Sequence, residues 1–110
     1  MNINEYQEAI QEYKPYQSDI GVFYNLFDIT SAVGDLNKKV NNILVNNQEM
    51  SKEVALKLGI SLGDILCAIS NFASDIGIKM EDVIVLNLRK INMQKENELK
   101  KQNNQPIKIG

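Results

Sequence analysis

The chain has no histidine and no tryptophan, one cysteine, and two prolines among 110 residues. Without histidine there is no imidazole base, no Ser-His or Cys-His nucleophile pair, and none of the usual zinc sites. Any metal would be held by oxygen, which favours magnesium, manganese or calcium. The lone Cys67 makes no internal disulfide. It lies in an apolar run and reads as a buried, inert thiol, which fits a cytoplasmic setting. No apolar run is long enough to span a membrane, and the first residues, with Glu5 and Glu8, do not read as a signal peptide. A net charge of −2 offers no basic surplus for nucleic acid.

What is present is ordinary for one globular domain: 44% hydrophobic and 24% charged residues. At this length, oligomerisation often completes the core. The apolar spacing is helical throughout, and no strand-period segment stands out. Residues 2 to about 14 predict a short amphipathic helix with Ile3, Tyr6, Ala9, Ile10 and Tyr13 on one side, ended by Pro15. Ser18 or Asp19 is placed to cap the next helix.

That second helix carries Val22, Leu26, Ile29, Val33, Leu36, Val40 and Ile43 at alternating steps of four and three, a seam of the coiled-coil type. Fraying is expected around Asn46 and Asn47. A third helix from Met50 or Ser51 repeats the seam with Val54, Leu58, Leu62, Ile65, Ile69, Phe72 and Ile76, and Gly77 stands where a left-handed cap belongs. Met80 opens a fourth helix, with Glu81 and Asp82 in its first turn. The organisation expected is a helical domain over 1–94, then a polar helix end and flexible tail over 95–110.

The chain is organised around a matched pair of motifs, Ala32-Val33-Gly34-Asp35-Leu36 and Ser61-Leu62-Gly63-Asp64-Ile65. If the chain folds back between Asn46 and Ser51, Asp35 and Asp64 come side by side. Asp28, Ala32, Asp35 and Lys39 share one stripe of the second helix; Lys57, Ser61, Asp64, Ala68 and Asn71 share one of the third. Carboxylates meeting in a groove between antiparallel helices form an oxygen cage for magnesium, with Asp35, Asp64 and Asp28 the candidates. The plainer reading makes them solvated positions beside a seam, with Lys39 and Lys57 as their ion-pair partners. Gly34 and Gly63 each cost about 1 kcal/mol in a helix interior. Close helix approach next to the acids is one candidate offset.

From Tyr6 to Lys90 the pattern resembles the MazG-like, all-α nucleoside triphosphate pyrophosphohydrolases. That family shows Glu-x-Gly-Glu-Leu, then Glu-Leu-Gly-Asp-Val-Leu, then an LGL-S-x-E-E-V turn, then Asn-x-x-Lys. The counterparts here are the two Gly-Asp motifs, Ile76-Gly77-Ile78-Lys79-Met80-Glu81-Asp82-Val83, and Asn87-Leu88-Arg89-Lys90. The resemblance implies a four-helix bundle built on a long antiparallel hairpin, a homodimer or homotetramer, and a Mg2+ cage that clamps a triphosphate. Two of the four cage positions, Ala32 and Ser61, carry no carboxylate. The expectation is therefore nucleotide binding with hydrolysis weakened or lost. Lys57, Asn87 and Lys90 are the candidate phosphate-side residues. The alternatives are an active Mg-dependent pyrophosphohydrolase using Asp28 as replacement ligand, and a non-catalytic helical module for oligomerisation or regulation.

Overall fold

A computed structural model describes residues 1–13 and 21–103. Four helices account for nearly all of them: α1 (Ile3–Glu12), α2 (Gly21–Val45), α3 (Lys52–Asp75) and α4 (Met80–Asn103). No strand occurs among the described residues, so the chain is all-α. The stop expected at Pro15, the cap at Ser18 or Asp19, and the tail beyond Asn103 lie outside them.

The boundaries have local causes. Asn2 caps α1 by accepting the Glu5 amide at 2.9 Å, and Ser51 caps α3 by accepting the Val54 amide at 3.2 Å. Gly77, at φ 77°, ends α3 as expected. Its amide bonds to Ser74 O at 3.1 Å and the Ile78 amide to Ala73 O at 2.9 Å, the paired pattern of a Schellman cap. The end of α2, expected to fray, is built the same way. Asn47 takes φ 48°, its amide reaches Leu44 O at 3.2 Å, and the Gln48 amide reaches Ile43 O at 3.0 Å. Asparagine tolerates the left-handed region better than other residues with a side chain, which makes this cap possible without glycine. The polar run after Met93 is helical to Asn103, with Lys100 and Lys101 suiting the negative end of the dipole.

Packing departs from the sequence expectation in which faces it buries. α2 packs on α3, and α1 packs on both α3 and α4. Two bonds at opposite ends align α2 and α3 antiparallel: Lys39 to Ser61, and Asn25 to Asp75. The buried residues of α3 are Val54, Ser61, Ala68, Ser70, Asn71 and Ala73, nearly all small or polar. The seam is only half covered, since Ile29, Leu36, Ile43, Ile65 and Ile69 are half-buried while Leu26, Val33, Val40 and Leu62 are exposed. Of the stripe that contains the Gly-Asp motifs, Ser61, Ala68 and Asn71 of α3 are buried, while much of the larger apolar seam is turned outward.

α1 is held by a residue absent from its expected apolar side. Gln7, buried, donates from Nε2 to Ser74 Oγ at 3.0 Å and to the Ile78 carbonyl at 3.0 Å, and its Oε1 accepts the Met80 amide at 2.7 Å. Asn4 adds a bond from Nδ2 to Glu81 Oε2 at 2.9 Å. Tyr13, expected on the packed side, is exposed instead. Gln7 thus clasps α1 to the α3–α4 turn, where three backbone or hydroxyl groups converge on one amide.

Candidate functional site

Between α1, α2 and α3 lies a cleft of about 550 Å³, within the range of small-molecule sites. Ile10 of α1 and Tyr13, the residue that caps it, form its rim, and α2 and α3 form its walls. Both Gly-Asp motifs open onto it, since Ala32, Asp35, Ser61 and Asp64 all line it, together with Asp28. The antiparallel alignment makes this happen: the Lys39–Ser61 bond sets the register, and the next turn toward the far end brings Asp35 to the level of Asp64.

The lining is graded in charge along the helices. Nearest the α2–α3 turn, Lys39 Nζ donates to Ser61 Oγ at 2.6 Å, and Lys38 lines the same end. The middle carries Asp35 and Asp64 from opposite walls. The far end holds Asp28 on α2, facing Cys67 and Asn71 on α3. Burial first, then the charges of Asp64 and Asp28, push the Cys67 thiol above its ordinary value. Burial, Cys67 and Asp64 do the same to the Tyr6 phenol. Among the described residues, Asp28, Asp35 and Asp64 thus line the middle and far levels, and Lys38 and Lys39 the near end.

Asn71 is buried in the cleft wall at 5% exposure. Its Nδ2 has only a 4.0 Å contact with Cys67 Sγ, and its Oδ1 has no hydrogen-bond partner among the described residues. It is one of four buried side-chain oxygens without a partner among the described residues, with Asn4 Oδ1, Asn25 Oδ1 and Ser70 Oγ, and of these Asn71 alone lines the cleft, where a bound donor would relieve it.

The other candidates fall elsewhere. Lys57 is largely exposed, pairs with Glu53 at 3.8 Å, and lines not this cleft but an adjoining groove that also takes in Lys39. Asn87 and Lys90 stand exposed on α4 and do not line the cleft. A Cβ at Gly34 or Gly63 would meet nothing within 4 Å, so close approach within the protomer does not account for either glycine. Sequence reasoning missed Lys38, Cys67 and the rim residues. The first two lie next to stripe positions, and the rim depends on where α1 docks, which spacing along one helix does not encode.

The magnesium cage implied by the resemblance can be tested on the donor set. Among the described residues, no group of three or more carboxylates or thiols converges so as to hold a metal ion. Ala32 supplies no donor, and the Ser61 hydroxyl is engaged by an ammonium group whose charge opposes a cation beside it. Asp28, Asp35 and Asp64 share the cleft but do not by themselves fit a divalent cage. Among the described residues no helix is long and apolar enough to cross a membrane. In comparisons with known proteins, no family model, curated protein or solved structure matches the chain.

Proposed function

We propose that the cleft binds a nucleotide, in the manner of a MazG-like pyrophosphohydrolase whose hydrolysis is weakened or lost. One observation carries the reading: the paired motifs of α2 and α3 open onto a single cleft of nucleotide size, with acidic and basic groups at different levels. The replacements at Ala32 and Ser61 and the scattered carboxylates favour binding over turnover. A thermal-shift screen of ribo- and deoxynucleoside triphosphates, with and without magnesium, tests this. Stabilisation by at least one nucleotide is expected, with little or no pyrophosphate released. Magnesium-dependent pyrophosphate release, lost in Asp28→Ala, would favour the active enzyme. No shift with any nucleotide would leave the helical assembly module.

The same protein is proposed to work as a homo-oligomer. Among the described residues, large apolar side chains stand exposed along the two helices: Leu26, Phe27, Val33, Val40 and Leu44 on α2, and Leu56, Ile60 and Leu62 on α3. A second copy presents the same unpaired seam and is the occupant proposed. Sedimentation velocity is expected to give a dimer or tetramer, and Val33→Asp with Leu62→Asp to dissociate it. A monomer at micromolar concentration would refute the assignment.

A further inference from the structure

We propose that the cleft takes its nucleotide as a 5′-monophosphate and without a divalent ion. The phosphate lies against Lys38 and Lys39, and the sugar and base lie toward Asp64 and Asn71. This rests on the nucleotide-binding reading above.

The argument starts from Lys39. Its ammonium has three N–H donors, and Ser61 accepts one of them at 2.6 Å. No carboxylate among the described residues forms an ion pair with Lys39 or Lys38; the pair present is Lys57–Glu53. Two such cations at one end of a cleft match the charge of about −1.5 to −2 on a phosphate monoester at neutral pH. Phosphate oxygens would take the remaining N–H donors in short, charge-assisted bonds.

The deeper levels of the cleft select the rest of the ligand. Asp35 and Asp64 are acceptors when ionised, and Asn71 adds an unmatched amide oxygen at the far end. A β- or γ-phosphate running along this path would pass Asp35 and Asp64, which form no ion pair with a cation among the described residues, and like charges oppose that passage. Sugar hydroxyls and base N–H groups, by contrast, donate to those acceptors. Ten residues of α3 separate Ser61 from Asn71, about 15 Å of helix, long enough for one extended nucleotide. The cleft thus asks for one compact anion joined to a tail rich in donors.

Calorimetry with AMP, CMP, GMP and UMP and the four matching triphosphates, each in EDTA and in magnesium, tests the proposal. At least one monophosphate is expected to bind in EDTA no more weakly than its triphosphate, and magnesium to change its Kd less than about threefold. Lys39→Met should weaken that binding about tenfold or more, Lys39→Arg should retain most of it, and Lys57→Met, outside the cleft, should leave it unchanged. Circular dichroism of each variant establishes that it is folded. Triphosphate binding that requires magnesium, with no monophosphate binding in EDTA, would overturn this inference and leave the broader nucleotide reading intact. Unchanged binding in a folded Lys39→Met protein would overturn the lysine assignment. Absence of binding by all eight nucleotides in both buffers would remove both readings.

Discussion

Gln7 gives the sharpest stability test, because one side chain makes three of the bonds that dock α1. It donates to Ser74 Oγ and the Ile78 carbonyl and accepts the Met80 amide, at 3.0, 3.0 and 2.7 Å. Each such bond contributes about 0.5–1.5 kcal/mol net. The Met80 amide is a further concern, since Met80 is 4% exposed and sits at the first position of α4, where no earlier turn supplies an acceptor. Gln7→Met keeps the volume and removes all three bonds, and is expected to cost about 2–3 kcal/mol. Gln7→Ala also empties the space, and is expected to cost about 3–4 kcal/mol. Gln7→Glu keeps an acceptor for the Met80 amide but sets a carboxylate against the Ile78 carbonyl, so its cost should fall between wild type and Gln7→Ala. The measurement is urea unfolding followed by circular dichroism, at one fixed protomer concentration because self-association enters the midpoint. A loss below about 0.5 kcal/mol for Gln7→Met would refute the claim that these bonds hold α1 in place.

Four other substitutions concern the caps and the thiol. Gly77→Ala should destabilise by about 1 kcal/mol, read by the same unfolding assay, because φ 77° strains any side chain although nothing lies near the new Cβ. Asn47→Gly should stabilise by a few tenths to about 1 kcal/mol in that assay, since it relieves the one left-handed residue with a side chain among the described residues. Burial, Asp64 and Asp28 hold the Cys67 thiol above its ordinary value, so it should react slowly with a disulfide reagent at pH 8, and Asp64→Asn should speed that reaction. The sign for stability comes from the same shift. A raised folded value contributes stability that is complete below the ordinary thiol range and is lost as pH rises through the folded value. Cys67→Ser should flatten the fall in stability above that range.

The helical class was legible because apolar residues at steps of three and four, broken by Ser51 and Gly77, leave no other periodicity to fit. The burial of each face was not. Apolar residues at seam positions were expected inside, but the buried residues of α3 are largely small or polar, Ser61, Ala68, Ser70, Asn71 and Ala73 among them. A seam written for an oligomer and a seam written for a protomer core look alike in one sequence. Gln7 stood at the centre of the α1 stripe, between Ile3 and Ile10 at steps of four and three, and that placement was the signal that it packs inward. That Asp35 and Asp64 face a common space between α2 and α3 follows from the position of the turn, and both line the cleft. Which lysine joins them was not legible, because Lys39 and Lys57 sit on the same two stripes and the register alone, fixed by Ser61, selects Lys39. The helical stretch beyond Met93 carried no packing signal, since it makes no buried contact and stands on local propensity and end charges.

The Gln7 clasp also has a kinetic side. α1 supplies the rim of the cleft through Ile10 and Tyr13, yet its anchors lie at the α3–α4 turn, away from the walls. Detaching α1 breaks the Gln7 and Asn4 bonds and leaves the α2–α3 contact intact, so the rim can open as a local unfolding unit. Amides of α1 would then exchange with deuterium through this smaller opening, while those in the middle of α3 wait for global unfolding. A ligand touching Ile10 and Tyr13 would slow exchange in α1 ahead of any other helix, and the entry rate of that ligand would be set by how often one glutamine lets go.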